Sequence, residues 1–75
     1  MLEKLREIIV NYVEADPEAI VPESRFVEDL GFTSFDFMSM LGEIEEAFDL
    51  EVEQREAAGL RTVGEAMEYL SRISD

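Results

Sequence analysis

Apolar residues recur along much of the chain at the spacing of an α-helix. In the N-terminal segment Leu5, Ile8 and Tyr12 fall at i, i+3 and i+7, which predicts an amphipathic helix that the Asp16-Pro17 pair ends. Similar patterns predict three more helices further along the chain, and Gly59 is placed to end the short third helix. The pattern therefore predicts four helices, over residues 2–14, 34–48, 54–58 and 63–74.

A long segment without helical periodicity separates the first two predicted helices. Residues 17–33 contain two prolines and a glycine, which indicate an ordered loop, and the length of this loop suggests a role in function. Four of its apolar residues are expected to reach the core: Ile20, Val21, Phe26 and Leu30. We expect residues 1–75 to form one all-α domain, a small four-helix bundle with three main helices, one short third helix and a long loop between helices one and two.

The residue types that are missing limit what the chain can do. It has 75 residues and neither Cys nor His, so disulfides and zinc sites of the usual kinds cannot support its small core. The same absence removes the commonest nucleophile and general base, so we expect neither an enzyme nor a metal site. The lack of cysteine fits a reducing compartment and no leader or long apolar run is visible, so we expect a cytoplasmic protein that does not insert into membranes.

Charge narrows the class of partner. Nineteen acidic against six basic residues give a formal net charge of −13, which repels nucleic acids and anionic lipid surfaces. Nine of the acidic residues lie between Glu28 and Glu53, a stretch without any Lys or Arg. Either this stretch is a solvated face, or it steers basic protein surfaces towards the chain.

Residues 26–49 carry the most specific signal in the sequence. They read FVEDLGFTSFDFMSMLGEIEEAFD, in which an Asp29-Leu30-Gly31 turn leads to Thr33-Ser34-Phe35 at the start of the acidic second helix. In this the chain resembles the acyl carrier protein family, where an Asp-Ser-Leu triplet follows an Asp-Leu-Gly turn. The resemblance extends from about Ser24 through Tyr69, and in it Ser34 matches the serine that the family modifies.

The resemblance implies a function for Ser34. A phosphopantetheinyl transferase would use coenzyme A and a divalent ion to attach phosphopantetheine to this serine, and acyl groups would then travel as thioesters on the arm. The implied partners are this transferase and acyl-loading, condensing and acyl-transfer enzymes with basic docking surfaces, and the carrier itself would be a monomer. An apolar cleft near the second and third helices is expected to shelter the acyl chain.

A serine at a helix start is often only a backbone cap, so the cap has to be assigned. Thr33 and Asp36 have the spacing of a capping-box variant, which would leave the hydroxyl of Ser34 free in the first turn. Thr62 and Glu65 have the same spacing before the fourth helix. Thr33 stands where the family usually has Asp; it is either an equivalent cap or a sign of a different class of partner, and both interpretations stay open.

The second helix has two faces at about 100° per residue. The face expected to enter the core consists of Phe37, Met40, Leu41, Ile44 and Phe48. The opposite face combines apolar and acidic side chains close to Ser34, which suits docking onto a basic rim with an apolar centre. We predict a partner-binding face made of Phe35, Met38, Ser39, Gly42, Glu45, Glu46 and Asp49.

Two other functions stay open from the sequence. A carrier with the same arm could load aminoacyl or polyketide intermediates of a specialised pathway, and Thr33 and the phenylalanines at 32, 35 and 37 keep this alternative in place. An unmodified acidic adaptor for a basic protein is the other candidate, and in it Ser34 would be only structural.

Overall fold

The computed structural model describes residues 1–74 as a bundle of helices. Within these residues no β-strand forms, and extended segments meet only in an isolated antiparallel bridge between Arg25 and Thr62. The predicted all-α fold, with three longer helices, a short third helix and a long first loop, is confirmed. The helices are α1 (Leu2–Ile9), α2 (Ser34–Phe48), α3 (Gln54–Ala57) and α4 (Val63–Ile73), and a 3₁₀ turn lies in the loop at Pro17–Ala19.

The first helix is shorter than its periodicity predicts. α1 ends at Ile9, and the following turns tighten to i→i−3 bonds, from the N–H of Asn11 to Ile8 O and from that of Tyr12 to Ile9 O, both 3.0 Å long. The side chain of Tyr12 then reaches α2, where its hydroxyl donates to Glu43 Oε1 over 2.7 Å. The prediction of a helix over residues 2–14 was therefore wrong at its C-terminal end. α3 and α4 each end one residue earlier than predicted.

Buried apolar residues from all four helices and the long loop form one core. Most fall where the sequence predicts, including Ile20 and Phe26 of the loop. Val21 was predicted wrongly: its residue surface is 39% exposed, and reciprocal hydrogen bonds with Ser24 close a tight turn that keeps it out of the core. Phe37 and Phe48 on α2 are half-buried and pack against the edge of the core.

The core contains an aromatic cluster that hydrophobic periodicity did not predict. Phe32, in the loop, is only 3% exposed and lies edge-on to Phe26 with ring centroids 5.4 Å apart. Phe26 also meets Phe37 edge-on at 5.3 Å, and Tyr12 lies 6.2 Å from Phe32. Phe26 is thus the centre of a cluster that joins the loop to α1 and α2.

The loop is fastened to the start of α4 by backbone hydrogen bonds. The N–H groups of Val63 and Gly64 have no partner inside the helix and donate instead to Ser24 O (3.0 Å) and Pro22 O (2.8 Å). The third N–H of α4 is capped by Thr62, so the capping box predicted there is confirmed. Gly64 permits the contact, because a Cβ at this position would lie 3.0 Å from Pro22 O.

Burial on α2 gives a direct test of how this helix is rotated. Ile44 is 1% exposed, so Ile44→Ala should lower the free energy of unfolding by ~2–5 kcal/mol through lost burial and a residual cavity. Phe35 is 79% exposed, so Phe35→Ala should change it by only about 0.5 kcal/mol. Matched urea titrations of the two variants measure both values, and a severely destabilised Phe35→Ala would contradict the rotation of α2 described above.

The contact between Tyr12 and Glu43 predicts a loss of stability at high pH. The hydrogen bond to the Glu43 carboxylate, together with burial, raises the pKa of Tyr12 from 10.0 to about 12. A pKa that is higher in the folded state contributes stability that is fully present below pH 10 and disappears as the pH rises through 12. Tyr12→Phe should be less stable at neutral pH by about 1 kcal/mol and should lack this alkaline component.

Urea titrations of the wild type and Tyr12→Phe at several pH values between 8 and 12, with phenolate absorbance followed in parallel, check this prediction. A parallel decline of both proteins over the upper part of this range would mean that Tyr12 is not the group responsible.

Candidate functional site

Ser34 is the first residue of α2, and it does not act as the cap of that helix. Thr33 caps it: Thr33 Oγ1 accepts from the N–H of Asp36 over 3.1 Å, and Asp36 Oδ2 accepts from the N–H of Thr33 over 3.1 Å. The predicted capping box is therefore confirmed. Ser34 is exposed, and its hydroxyl makes no hydrogen bond to any residue between 1 and 74. The hydroxyl is available for a reaction with a group from outside.

The loop before α2 fixes where Ser34 emerges from the bundle. Gly31 has a φ of +78°, a conformation that glycine adopts without strain, and the N–H of Phe32 returns to Phe26 O over 2.9 Å. The buried ring of Phe32 holds this reversal against the core. Thr33 and Ser34 consequently leave the core surface together, at a position that the aromatic cluster determines.

The N–H groups at the start of α2 contrast with those of α4. The N–H groups of Ser34 and Phe35 donate to no other residue within the described chain, whereas the equivalent groups of α4 are both used by the loop. Unpaired N–H groups at a helix start favour an anion, both by donation and through the helix dipole. A phosphodiester on the Ser34 oxygen would lie beside these donors.

A cleft of about 470 Å³ opens next to Ser34. One wall is the beginning of α2, a second is the loop around Phe26, and the third is the segment that follows α3. The polar residues along it are Glu28, Thr33, Ser34 and Arg61. The apolar residues along it are Phe26, Val27, Phe37, Met38, Ala58 and Leu60.

The site fits a phosphopantetheine group in three respects. The hydroxyl of Ser34 is exposed and uncommitted, the first N–H groups of α2 favour the phosphate, and an apolar cleft begins at the point of attachment. The cleft lies between α2 and the residues after α3, close to where an apolar shelter was expected. Sequence patterns missed its far wall, since residues 58–61 reach Ser34 only through the packing of the chain.

The outward face of α2 contains most of the residues predicted to bind partners. Phe35 and Met38 are 79% and 44% exposed, which is unusual for large apolar side chains. The other exposed residues of the predicted partner face are Gly42, Glu46 and Asp49. Asp49 follows the helix with a φ of 54°, in the left-handed region, and ends it.

Two members of the predicted face are less accessible than the others. Ser39 is half-buried, and its carbonyl oxygen lies 3.2 Å from the hydroxyl of Tyr12. Glu45 is also half-buried, and its Oε2 accepts from the N–H of Val52 over 2.8 Å. Glu45 thus holds the segment after α2 in place, so only part of its carboxylate remains for a partner.

The acidic stretch is not uniform in its interactions. Asp29 pairs with Arg25, with Oδ2 to Nε at 3.1 Å, the only ion pair within residues 1–74. Hydrogen bonds from the side chain and backbone of Arg25 lower the pKa of Asp29, and the same pair raises the pKa of Arg25. Glu43 accepts hydrogen bonds from Tyr12 and Asn11 in the turns that follow α1. Glu53 is exposed and caps α3, where its Oε1 accepts from the N–H of Arg55 over 3.5 Å. The other exposed acids of this stretch are Glu28, Glu46, Asp49 and Glu51.

Two further properties of the described residues concern metals and membranes. No group of three or more acidic side chains among residues 1–74 is arranged to hold a metal ion. None of the helices in this part of the chain is long and apolar enough to cross a bilayer.

Comparison with known proteins gives one consistent family. Residues 3–70 match the sequence profile described as the phosphopantetheine attachment site. Acyl carrier proteins from two strains of Caulobacter vibrioides are each 34% identical over 71 residues, which is 95% of this chain and 91% of theirs. A solved structure from Mycobacterium tuberculosis, provisionally assigned as an acyl carrier protein, superposes with a TM-score of 0.83 at 26% identity and covers 95% of this chain and 96% of that one.

Proteins of this kind are carriers and not enzymes, and they hold phosphopantetheine covalently. A free serine hydroxyl, unpaired helix N–H groups beside it and an adjoining cleft are the features that such a carrier needs. Because residues 3–70 match the family profile and a relative is 34% identical over 95% of this chain, the chain belongs to the acyl carrier protein family.

Proposed function

We propose that Ser34 is the attachment residue and that the chain carries acyl intermediates as thioesters in fatty acid biosynthesis or a related pathway. The observation that carries this proposal is the exposed hydroxyl of Ser34, left without a hydrogen bond because Thr33 caps the helix. The cleft beside it supports the same assignment, since it offers apolar surface to a carried chain. Residues 1–75 would act together as one carrier domain, in the cytoplasm and as a monomer.

The attachment step is a phosphoryl transfer from coenzyme A. The oxygen of Ser34 forms a bond to the phosphorus that carries the pantetheine, the bond from this phosphorus to the adenosine bisphosphate breaks, and the hydroxyl proton passes to a base of the transferase. The transferase supplies the divalent ion that the reaction needs. When attached, the arm provides the thiol that the chain itself lacks, and acyl groups bind to this thiol as thioesters.

The outward face of α2 is the proposed docking surface for the transferase and for acyl-loading, condensing and acyl-transfer enzymes. Phe35 adjoins Ser34 in the sequence, and Met38 lies one helical turn after Ser34. An enzyme that binds these two side chains would therefore also be close to the attachment residue. Around them Glu46 and Asp49 are exposed, which suits a basic rim. Ser39 and Glu45 contribute at the edge of this surface.

The identity of the cargo separates the main proposal from its alternative. A carrier of aminoacyl or polyketide intermediates would use the same serine and the same arm. Membership of the family therefore does not specify the cargo. The similarity to named acyl carrier proteins over 95% of the chain favours acyl cargo. Release and identification of the thioester-bound group from protein purified from its natural source would distinguish the two.

Incubation with coenzyme A and a broad-specificity transferase tests the attachment residue. Intact mass should rise by one phosphopantetheine, peptide mapping should locate it on Ser34, and Ser34→Ala should abolish the change while the helical circular dichroism spectrum stays the same. The other serines of the chain serve as internal controls: Ser24, Ser39, Ser71 and Ser74. A label on any of these would rule out Ser34 as the attachment residue, and no mass change with several transferases would favour the unmodified adaptor.

Gly42 tests whether the outward face of α2 is a contact surface. An added Cβ at this position meets no atom within 4 Å, so Gly42→Ala should stabilise the helix by ~1 kcal/mol in the free protein. If partners approach closely here, the same variant should slow modification or acyl transfer although the carrier is more stable. Urea titration and modification rates measure the two effects, with Phe35→Ala as the comparison that removes an aromatic contact. Unchanged rates in both variants would exclude this face as the docking surface.

A further inference from the structure

Among the residues that line the cleft beside Ser34, one has a basic side chain. Arg61 lies in the segment between α3 and α4 and lines the cleft together with Ser34. We propose that Arg61 is a positioning residue that binds the phosphodiester of the arm once it is attached to Ser34. This inference rests on the proposed function of Ser34 and adds a specific partner for its anion.

The remaining cations of the chain are either occupied or elsewhere. Arg25 is paired with Asp29, Arg6 Nε donates to Ile20 O over 2.9 Å, and the guanidinium of Arg72 lies 5.8 Å from the ring centroid of Tyr69. Lys4 and Arg55 do not line the cleft. Arg61 is exposed and pairs with no acidic side chain of residues 1–74.

The backbone of Arg61 is fixed at the rim although its side chain is unengaged. Its carbonyl oxygen accepts from the N–H of Phe26 over 2.9 Å, and its N–H donates to Glu65 Oε1 over 2.7 Å. These bonds join it to the loop and to the capping box of α4. A long side chain that starts from a fixed point on the rim can extend into the cleft that Ser34 also lines.

The charge of the surroundings favours such a partner. A phosphodiester on Ser34 adds a negative charge to a chain whose net charge is already −13, and it places that charge at the cleft that Glu28 also lines. Like charges in proximity are unfavourable, and a guanidinium in the same cleft offsets this repulsion and can bind two phosphate oxygens at once. Together with the free N–H groups of Ser34 and Phe35, Arg61 would direct the arm towards the cleft.

Melting temperatures of the unmodified and modified protein provide the first test. The difference between the modified and unmodified forms should be less favourable in Arg61→Gln than in the wild type, because the added anion has lost its partner. Arg55→Gln is the matched control, since it removes the same charge from an exposed site outside the cleft and should show the wild-type difference. Equal differences in all three proteins would overturn the proposal.

The phosphorus nucleus reports on the contact without any partner enzyme. The ³¹P resonance of the arm should shift between the wild type and Arg61→Gln, and its dependence on salt concentration should be lost in Arg61→Gln and kept in Arg55→Gln. Arg61→Lys should retain part of the wild-type behaviour, since it keeps a point charge but not the planar guanidinium. A ³¹P resonance that is insensitive to Arg61 would refute the contact.

Two further outcomes need their own measurements: the absence of the arm from Ser34, and binding of Arg61 to the cargo in place of the phosphodiester. If mass analysis finds no arm on Ser34, the proposed function itself has failed, whereas an arm on Ser34 with no effect of Arg61 contradicts only the present inference. Arg61 could instead bind a carboxylate at the far end of the cargo. An effect that appears with a malonyl thioester but with neither the free thiol nor an acetyl thioester would assign it to the cargo and overturn the phosphodiester assignment.

Discussion

The attachment of the long loop to the start of α4 is the interaction on which the rest of the structure depends. Three backbone hydrogen bonds make it, from Phe26 to Arg61, from Val63 to Ser24 and from Gly64 to Pro22. Two of them occupy N–H groups of α4 that would otherwise need water, and the third anchors Phe26, whose ring lies in the centre of the bundle. Both walls that face α2 across the cleft are thereby fixed at once.

The many carboxylates of this small protein serve in two ways, as hydrogen-bond acceptors for the backbone and as exposed charges. Several of them accept hydrogen bonds from backbone N–H groups, as Asp36 does at the start of α2, Glu65 at the start of α4 and Glu45 after α2. Others remain exposed along the outer side of the acidic stretch. The acidic composition thus serves the fold at helix ends and leaves an exposed charged surface, and Glu45 belongs both to a backbone contact and to the face proposed for partners.

Local sequence determined what could be predicted of the fold and the site. α2 and both capping boxes depend on residues within a few positions of one another, and they were predicted correctly. The end of α1, the burial of Phe32 and the far wall of the cleft depend on contacts between distant segments, such as Tyr12 with Glu43. Ser34 could be proposed as the attachment residue from the motif around it, whereas the role proposed for Arg61 has no local signal because it depends on the fold.

The contact between Gly64 and Pro22 limits how this scaffold could be rebuilt. The loop approaches α4 so closely because position 64 has no side chain, and the second N–H of the helix is reached only at that distance. A designer who moved this loop onto another helical protein would therefore have to move a glycine at the second helical position with it. The loop and the helix start that receives it therefore form one unit, and a change in either has to preserve the close approach of Pro22 to Gly64.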